Sequence, residues 1–146
     1  MKPIIRLMTK DDLDPLYHLL SDSRVMRFLE PPYTKEKTEE FLMHAGLSDP
    51  PLIYAVALDD QFIGYVICHD YDEDSMEIGW VLHPDHWGKG YATQLTECMK
   101  EKAFSSGKQV VIECSPDQEV TKHIASKTGF AYEGFIDGLD VFRFNW

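Results

Sequence analysis

Glu77 is the one carboxylate in an otherwise apolar run, "MEIGWVL", and eleven positions after it the chain reads "GKGYAT". A charge in an apolar strand is costly unless it is paired or put to use, so Glu77 is an ion-pair partner, a solvent-facing side chain or a proton acceptor. Gly88, Lys89 and Gly90 form a turn that leaves a strand and opens a helix. Such a turn exposes backbone N–H groups, and the helix N-terminus adds about half a positive charge, which together suit a phosphate or pyrophosphate. Lys89 brings a full charge, and the missing side chains of Gly88 and Gly90 let an anion reach the backbone. The same pattern also occurs as a plain turn. Neither GxxxxGK[ST] nor GxGxxG is present to decide between the two.

Other reactive side chains carry less. His83 and His86 bracket Asp85, but an HxxH without a third spaced ligand does not make a metal site, so no metal is expected. His18, His44, His69 and His123 stand alone and read as solvent-facing or structural. Cys68, Cys98 and Cys114 are an odd set with no CxxC, all in apolar stretches, and are expected to be buried thiols. Neither Cys68 nor Cys114 has an adjacent base that would activate it as a nucleophile.

The elements that position these residues follow from periodicity and punctuation. "IIRLM" (4–8) reads as a strand, and a helix follows with Thr9 as N-cap and Asp11 and Asp12 in its first turn. Pro31 and Pro32 break the chain, and a second helix runs from Lys35, capped by Thr34, to Ala45, where Gly46 stops it. Apolar segments at 52–58, 61–69 and 75–82, divided by Asp59-Asp60 and "DYDED", form an antiparallel meander. Period two puts Glu77, Gly79 and Val81 on one face of the third segment, and Met76, Ile78, Trp80 and Leu82 on the other. Ala92, Leu95, Met99 and Ala103 mark a helix over 90–106, closed by Gly107. A strand at 109–114, a short helix closed by Gly129 and two strands around Gly138 complete the chain. The strand-helix-strand crossover over 75–114 requires parallel neighbours, so the fold class is α/β with a mixed sheet.

The chain has 146 residues, enough for one domain, and shows no repeat or linker. No run approaches the roughly 18 apolar residues of a membrane span, and the start lacks the pattern of a secretory signal. A cytoplasmic location away from the membrane is the expectation. Fourteen Lys and Arg against 25 Asp and Glu leave a net charge of -11, which disfavours nucleic acid. That balance either keeps the protein dispersed or draws in a cationic small molecule or basic peptide.

"MEIGWVLHPDHWGKGYATQL" resembles the coenzyme A-binding segment of the GNAT superfamily of N-acyltransferases, whose loop reads [Q/R]-x-x-G-x-[G/A]. Trp87, Gly90 and Ala92 stand at its fixed positions, with Trp87 departing from Gln or Arg. "SDSRVMRFLEPPYTKEKTEEFL" and "HIASKTGFAYEG" resemble the branch of ribosomal-protein alanine N-acetyltransferases, so the likeness spans the whole chain. It implies a single GNAT domain over 1–146, with a mostly antiparallel sheet of six to seven strands and about four helices.

The same resemblance implies roles. Backbone N–H groups of Gly88, Lys89, Gly90, Tyr91, Ala92 and Thr93 would hold the coenzyme A pyrophosphate. The backbone of Val81, Leu82 and His83 would pair with the pantetheine amides, and the Leu82 N–H would face the acetyl carbonyl. Gln118 and Thr121 stand where the family often has Asn and Ser near the cofactor. Lys127 would meet the 3'-phosphate or simply favour its helix C-terminus. Acetyl transfer to an amine requires the amine to lose a proton, and Glu77 sits where some members carry the base. The usual Tyr acid is replaced by Ala125, leaving Tyr71, Tyr91, Tyr132 or water. Phe28 and Tyr33 either line the acceptor cleft or pack in the core. The implied activity is acetyl-CoA-dependent N-acetyl transfer, in a ternary complex, to a small amine or a protein N-terminus. A non-catalytic acyl-CoA-binding module is the alternative. The protein would be a monomer or homodimer.

Overall fold

The computed structural model describes residues 1–146. The first strand, β1 (Ile4–Arg6), ends before the expected Met8, because Met8 turns into the core. Thr9 then forms a capping box with Asp12 around one tight turn, and α1 (Leu13–Leu20) follows. A one-turn helix absent from the sequence reading, α2 (Ser23–Met26), is capped by Asp22. Thr34 caps α3 (Lys35–Phe41) as expected, but the chain then widens into a π turn over Leu42–Gly46 instead of continuing to Ala45. Gly46 is not a left-handed stop. A Cβ there would stand 2.9 Å from the Met8 sulfur, so close packing demands the glycine.

β2 (Ile53–Leu58), β3 (Gln61–Asp70) and β4 (Ser75–Leu82) form the antiparallel meander. Asp59 and Asp60 take φ of 52° and 66°, the paired left-handed conformation of a tight hairpin. The crossover helix α4 (Tyr91–Ser105) leads to β5 (Gln109–Cys114), parallel to β4. Then come α5 (Glu119–Lys127), β6 (Ala131–Ile136) and β7 (Leu139–Phe144). One seven-stranded sheet results, in the order β1-β2-β3-β4-β5-β7-β6. Only β4 and β5 are parallel, and five helices flank the sheet, in keeping with the expectation of about four.

Each sheet face has its own core. Met76, Ile78 and Leu82 pack with Leu95 and Met99 of α4 and Ala125 of α5. Val81 faces Leu16, Leu19 and Leu20 of α1 on the other side. That alternation is the one read from the sequence. What matters for the site is where pairing stops: β3 follows β4 as far as Leu82, while β5 pairs only with Ser75, Met76 and Glu77. Beyond Glu77, β4 and β5 diverge, and one edge of β4 is left without a partner strand.

Candidate functional site

Two hydrogen bonds fix which backbone groups line that divergence. The His83 N–H donates to the Ile63 carbonyl at 2.8 Å, and the Gln109 N–H donates to the Asp74 carbonyl at 2.8 Å. Odd-numbered residues of β4 therefore bond toward β3, and even-numbered ones toward β5. Past the last β5 partner, Trp80 and Leu82 point their N–H and C=O groups into the open cleft. The Trp87 indole N–H donates to the Leu82 carbonyl at 2.8 Å, tying the loop back to the strand. The expectation for His83 is corrected here: its N–H is spent on Ile63, and its carbonyl accepts from the His86 N–H at 2.9 Å. Val81 bonds toward β3 for the same reason, and Trp80 is the edge residue that sequence reasoning missed. Alternation along the strand was the available signal, had the direction of the backbone been considered with the side chains.

The loop below this edge is a donor cradle. Gly88 and Gly90 have φ of 72° and 83°, left-handed values that glycine adopts at little cost, and a Cβ at either would meet nothing within 4 Å. Gly90 starts α4 with no side-chain cap, and the first helical bond runs from the Gln94 N–H to the Gly90 carbonyl. The six successive N–H groups of Gly88, Lys89, Gly90, Tyr91, Ala92 and Thr93 thus have no acceptor within the protein. With the helix dipole behind them and Lys89 beside them, they fit a diphosphate. Tyr91 packs its ring against the α4-side core.

Glu77 lies at the fork, the last β4 residue paired on both sides, opposite His69 on β3 and Val111 on β5. Its side chain is 23% exposed and stands 3.9 Å from the His69 ring. Burial pushes its proton affinity above the ordinary carboxylate level; His69 opposes this and the charge of Glu113 reinforces it. His69 is thus not isolated, and neither is His18, which stacks on His83 with ring centroids 5.6 Å apart. Glu113 accepts a hydrogen bond from the Tyr71 hydroxyl at 2.6 Å, and that bond pushes the phenol up to about 12.

A cleft of about 520 Å³ opens between the segment Ser23–Pro32 and Ser115 and Asp117 beyond β5. Phe28 lines it, 38% exposed, with the Arg27 guanidinium over its ring at 4.9 Å. Tyr33 lies behind the wall instead: its hydroxyl donates to Glu30 at 2.6 Å and its ring packs edge-on against Phe41. Gln118 uses its side-chain oxygen to accept from the Ser115 N–H at 2.9 Å, holding the turn before α5. Thr121 is half-buried on the same helix, and Lys127 is exposed at its end. Ala125 is fully buried in the core, and Tyr132 donates to Asp140, away from Glu77. The thiols split: Cys68 and Cys114 are buried, whereas Cys98 is exposed on α4, contrary to expectation. Burial pushes the Cys114 thiol up to about 11, which removes it as a nucleophile. No group of three or more His, Cys, Asp or Glu is arranged to hold a metal ion.

A family model described as an acetyltransferase (GNAT) domain matches residues 3–131. The chain belongs to the GNAT acetyltransferase family. It is 29% identical over 139 residues, 91% of this chain and 81% of the relative, to the uncharacterized N-acetyltransferase YnaD of Bacillus subtilis. Among solved structures it resembles the spermidine N-acetyltransferase of Vibrio cholerae in complex with CoA and spermine. That match has TM-score 0.78 and 23% identity, over 97% of this chain and 93% of that one. It also resembles the ribosomal L7/L12 α-N-protein acetyltransferase RimL, at TM-score 0.83 and 17% identity, over 100% and 91% of the chains.

Proposed function

We propose that this protein transfers an acetyl group from acetyl-CoA to a primary amine by direct attack in a ternary complex. The observation that carries the reading is the run of six acceptor-free N–H groups at residues 88–93, continuous with the open edge of β4. The diphosphate sits on that run and on Lys89, and the pantetheine arm runs back along β4 toward the fork. The Leu82 N–H pairs with the arm. One rung deeper, about 7 Å along the strand, the Trp80 N–H meets the acyl oxygen at the arm's far end. The family resemblance implies the Leu82 N–H for that oxygen; we assign it instead to Trp80, the other even-numbered residue past the last β5 partner. The thioester supplies the activated acyl carbon, and an N–H aimed at its oxygen stabilises the charge that develops there, by about 3 to 4 kcal/mol in comparable sites.

Glu77 accepts the proton that the attacking ammonium must lose. It stands three residues before Trp80, about 10 Å along the strand, a span that its side chain and one bridging water cover. Tyr71 is committed to Glu113 and holds its proton to about 12, and Tyr132 is bonded to Asp140, so water protonates the departing thiolate. The acceptor enters through the cleft lined by Phe28, Glu30 and Asp117. The spermidine enzyme and RimL exemplify two acceptor classes, a polyamine and a protein N-terminus. Free thiol released from acetyl-CoA in the presence of spermidine or an N-terminal peptide tests the reading. Acetyl-CoA binding without thiol release from any amine would favour a non-catalytic binding module.

A further inference from the structure

On the face of the sheet that bears Glu77, a second carboxylate stands at the fork. Glu77 is in register with Val111 on β5, and Glu113 lies two residues further on the same strand and on the same face. Val110, Ile112 and Cys114 all point to the opposite core, so the placement of Glu113 follows from strand alternation. Val111, between the two acids, is fully buried. Tyr71 reaches from the end of β3 across β4 and donates its hydroxyl to Glu113 Oε1 at 2.6 Å. That contact joins segments 42 residues apart.

We propose that Glu113, fixed by the Tyr71 hydroxyl, is a positioning residue that acts through Glu77, supplying the fixed negative charge beside which Glu77 takes the acceptor's proton. The inference rests on the acetyl-transfer reading. In the step, an N–H bond of the ammonium breaks, its proton bonds to a Glu77 carboxylate oxygen, and the electron pair stays on nitrogen for attack on the acyl carbon. The Tyr71 hydroxyl bond holds the Glu113 carboxylate in place. The Glu113 charge repels that of Glu77 from two residues further along the fork, and protonation of Glu77 relieves that repulsion, which favours the transfer. Burial contributes most to the raised affinity of Glu77, and His69 on β3 opposes it from 3.9 Å more strongly than Glu113 supports it, so Glu113 offsets part of the His69 effect. Arg143 on β7 is engaged by Ser75 at 2.6 Å, Gln109 at 2.9 Å and Glu133 at 3.0 Å.

The test is a carbon-detected NMR titration of side-chain carboxyl groups in the whole protein, with Glu77→Gln identifying the Glu77 signal. Glu113→Gln removes the neighbouring charge and is expected to move the Glu77 midpoint to lower pH, by a two- to tenfold loss of proton affinity. Glu113→Asp, which keeps the charge, restores most of the shift. Tyr71→Phe leaves the charge but frees it, and is expected to give a smaller shift in the same direction; it carries the test if Glu113→Gln does not fold. The acid limb of kcat/KM for acetyl transfer should move the same way, while acetyl-CoA affinity by calorimetry stays unchanged. A Glu77 midpoint that stays put in both Glu113→Gln and Tyr71→Phe overturns the proposal. Wild-type protein that does not bind acetyl-CoA overturns the parent reading instead.

Discussion

At the scale of single residues, the account turns on a carboxylate whose environment disfavours its charge. Because burial raises the proton affinity of Glu77, the acid limb of the rate profile should lie above the ordinary glutamate value of about 4.3. Glu77→Gln should cost about 10²- to 10⁴-fold in turnover across the pH range, with acetyl-CoA affinity retained. Stability should move the other way. A carboxyl with raised folded affinity favours folding below the unfolded value and loses that contribution as pH rises through the folded one. Glu77→Gln should therefore melt no lower than wild type at neutral pH, and a thermal melt checks it. Asp12 shows the opposite sign. Burial alone would raise it, but two bonds from Arg6 at 2.9 Å and one from the Thr9 N–H at 2.8 Å hold it below the ordinary value. Its contribution is present at neutral pH and lost in acid as it protonates. Asp12→Asn should cost about 1.5 to 3 kcal/mol at neutral pH by chemical denaturation, and less in acid, where wild type loses the same contribution.

At the scale of elements, the site is a consequence of where strands stop pairing. Gly64 on β3 lies against the Val81 carbonyl and Leu82, so tightly that a Cβ would collide with that carbonyl. Gly64→Ala should push β4 off β3, lower stability by about 2 kcal/mol, and weaken acetyl-CoA binding by misplacing the open edge. Denaturant melts and cofactor titration of the variant measure both effects. Much of this level was legible in the sequence. Thr9, Thr34, Gly107 and Gly129 mark real helix ends because caps and left-handed stops depend on local chemistry. The two faces of β4 were legible because burial imposes period two. What local chemistry does not encode was missed. The π turn at Leu42–Gly46 ends in close packing on Met8, the exposure of Cys98 follows from its angle on α4, and the neighbours of His18 and His69 from tertiary contact. The divergence of β4 from β5 is likewise a property of two strands. The sequence motif pointed to it only through the family it resembles.

At the scale of the molecule, a net charge of -11 surrounds a cleft that carries Glu30 and Asp117. Coenzyme A is itself an anion, so Lys89 and the donor run must overcome the general field locally, within a Debye length of about 8 Å at physiological salt. A cationic acceptor, in contrast, is drawn in by that field. Its KM should rise with ionic strength between about 10 and 150 mM, while the KM for acetyl-CoA holds or falls. Steady-state assays at matched pH distinguish the two trends. No helix is long and apolar enough to cross a membrane.

The measurement that reaches the central claim most directly is calorimetric titration with acetyl-CoA of the wild type and of Gly90→Glu, with ATP as the control ligand. A Cβ at Gly90 meets open space, so the substitution fills the cradle with a negative side chain and strains a φ of 83° without disturbing the core. Micromolar binding of acetyl-CoA by the wild type, its loss in Gly90→Glu and no binding of ATP are the predicted result. Equal acetyl-CoA binding by both proteins, or none by the wild type, would contradict the assignment of residues 88–93 as the diphosphate cradle.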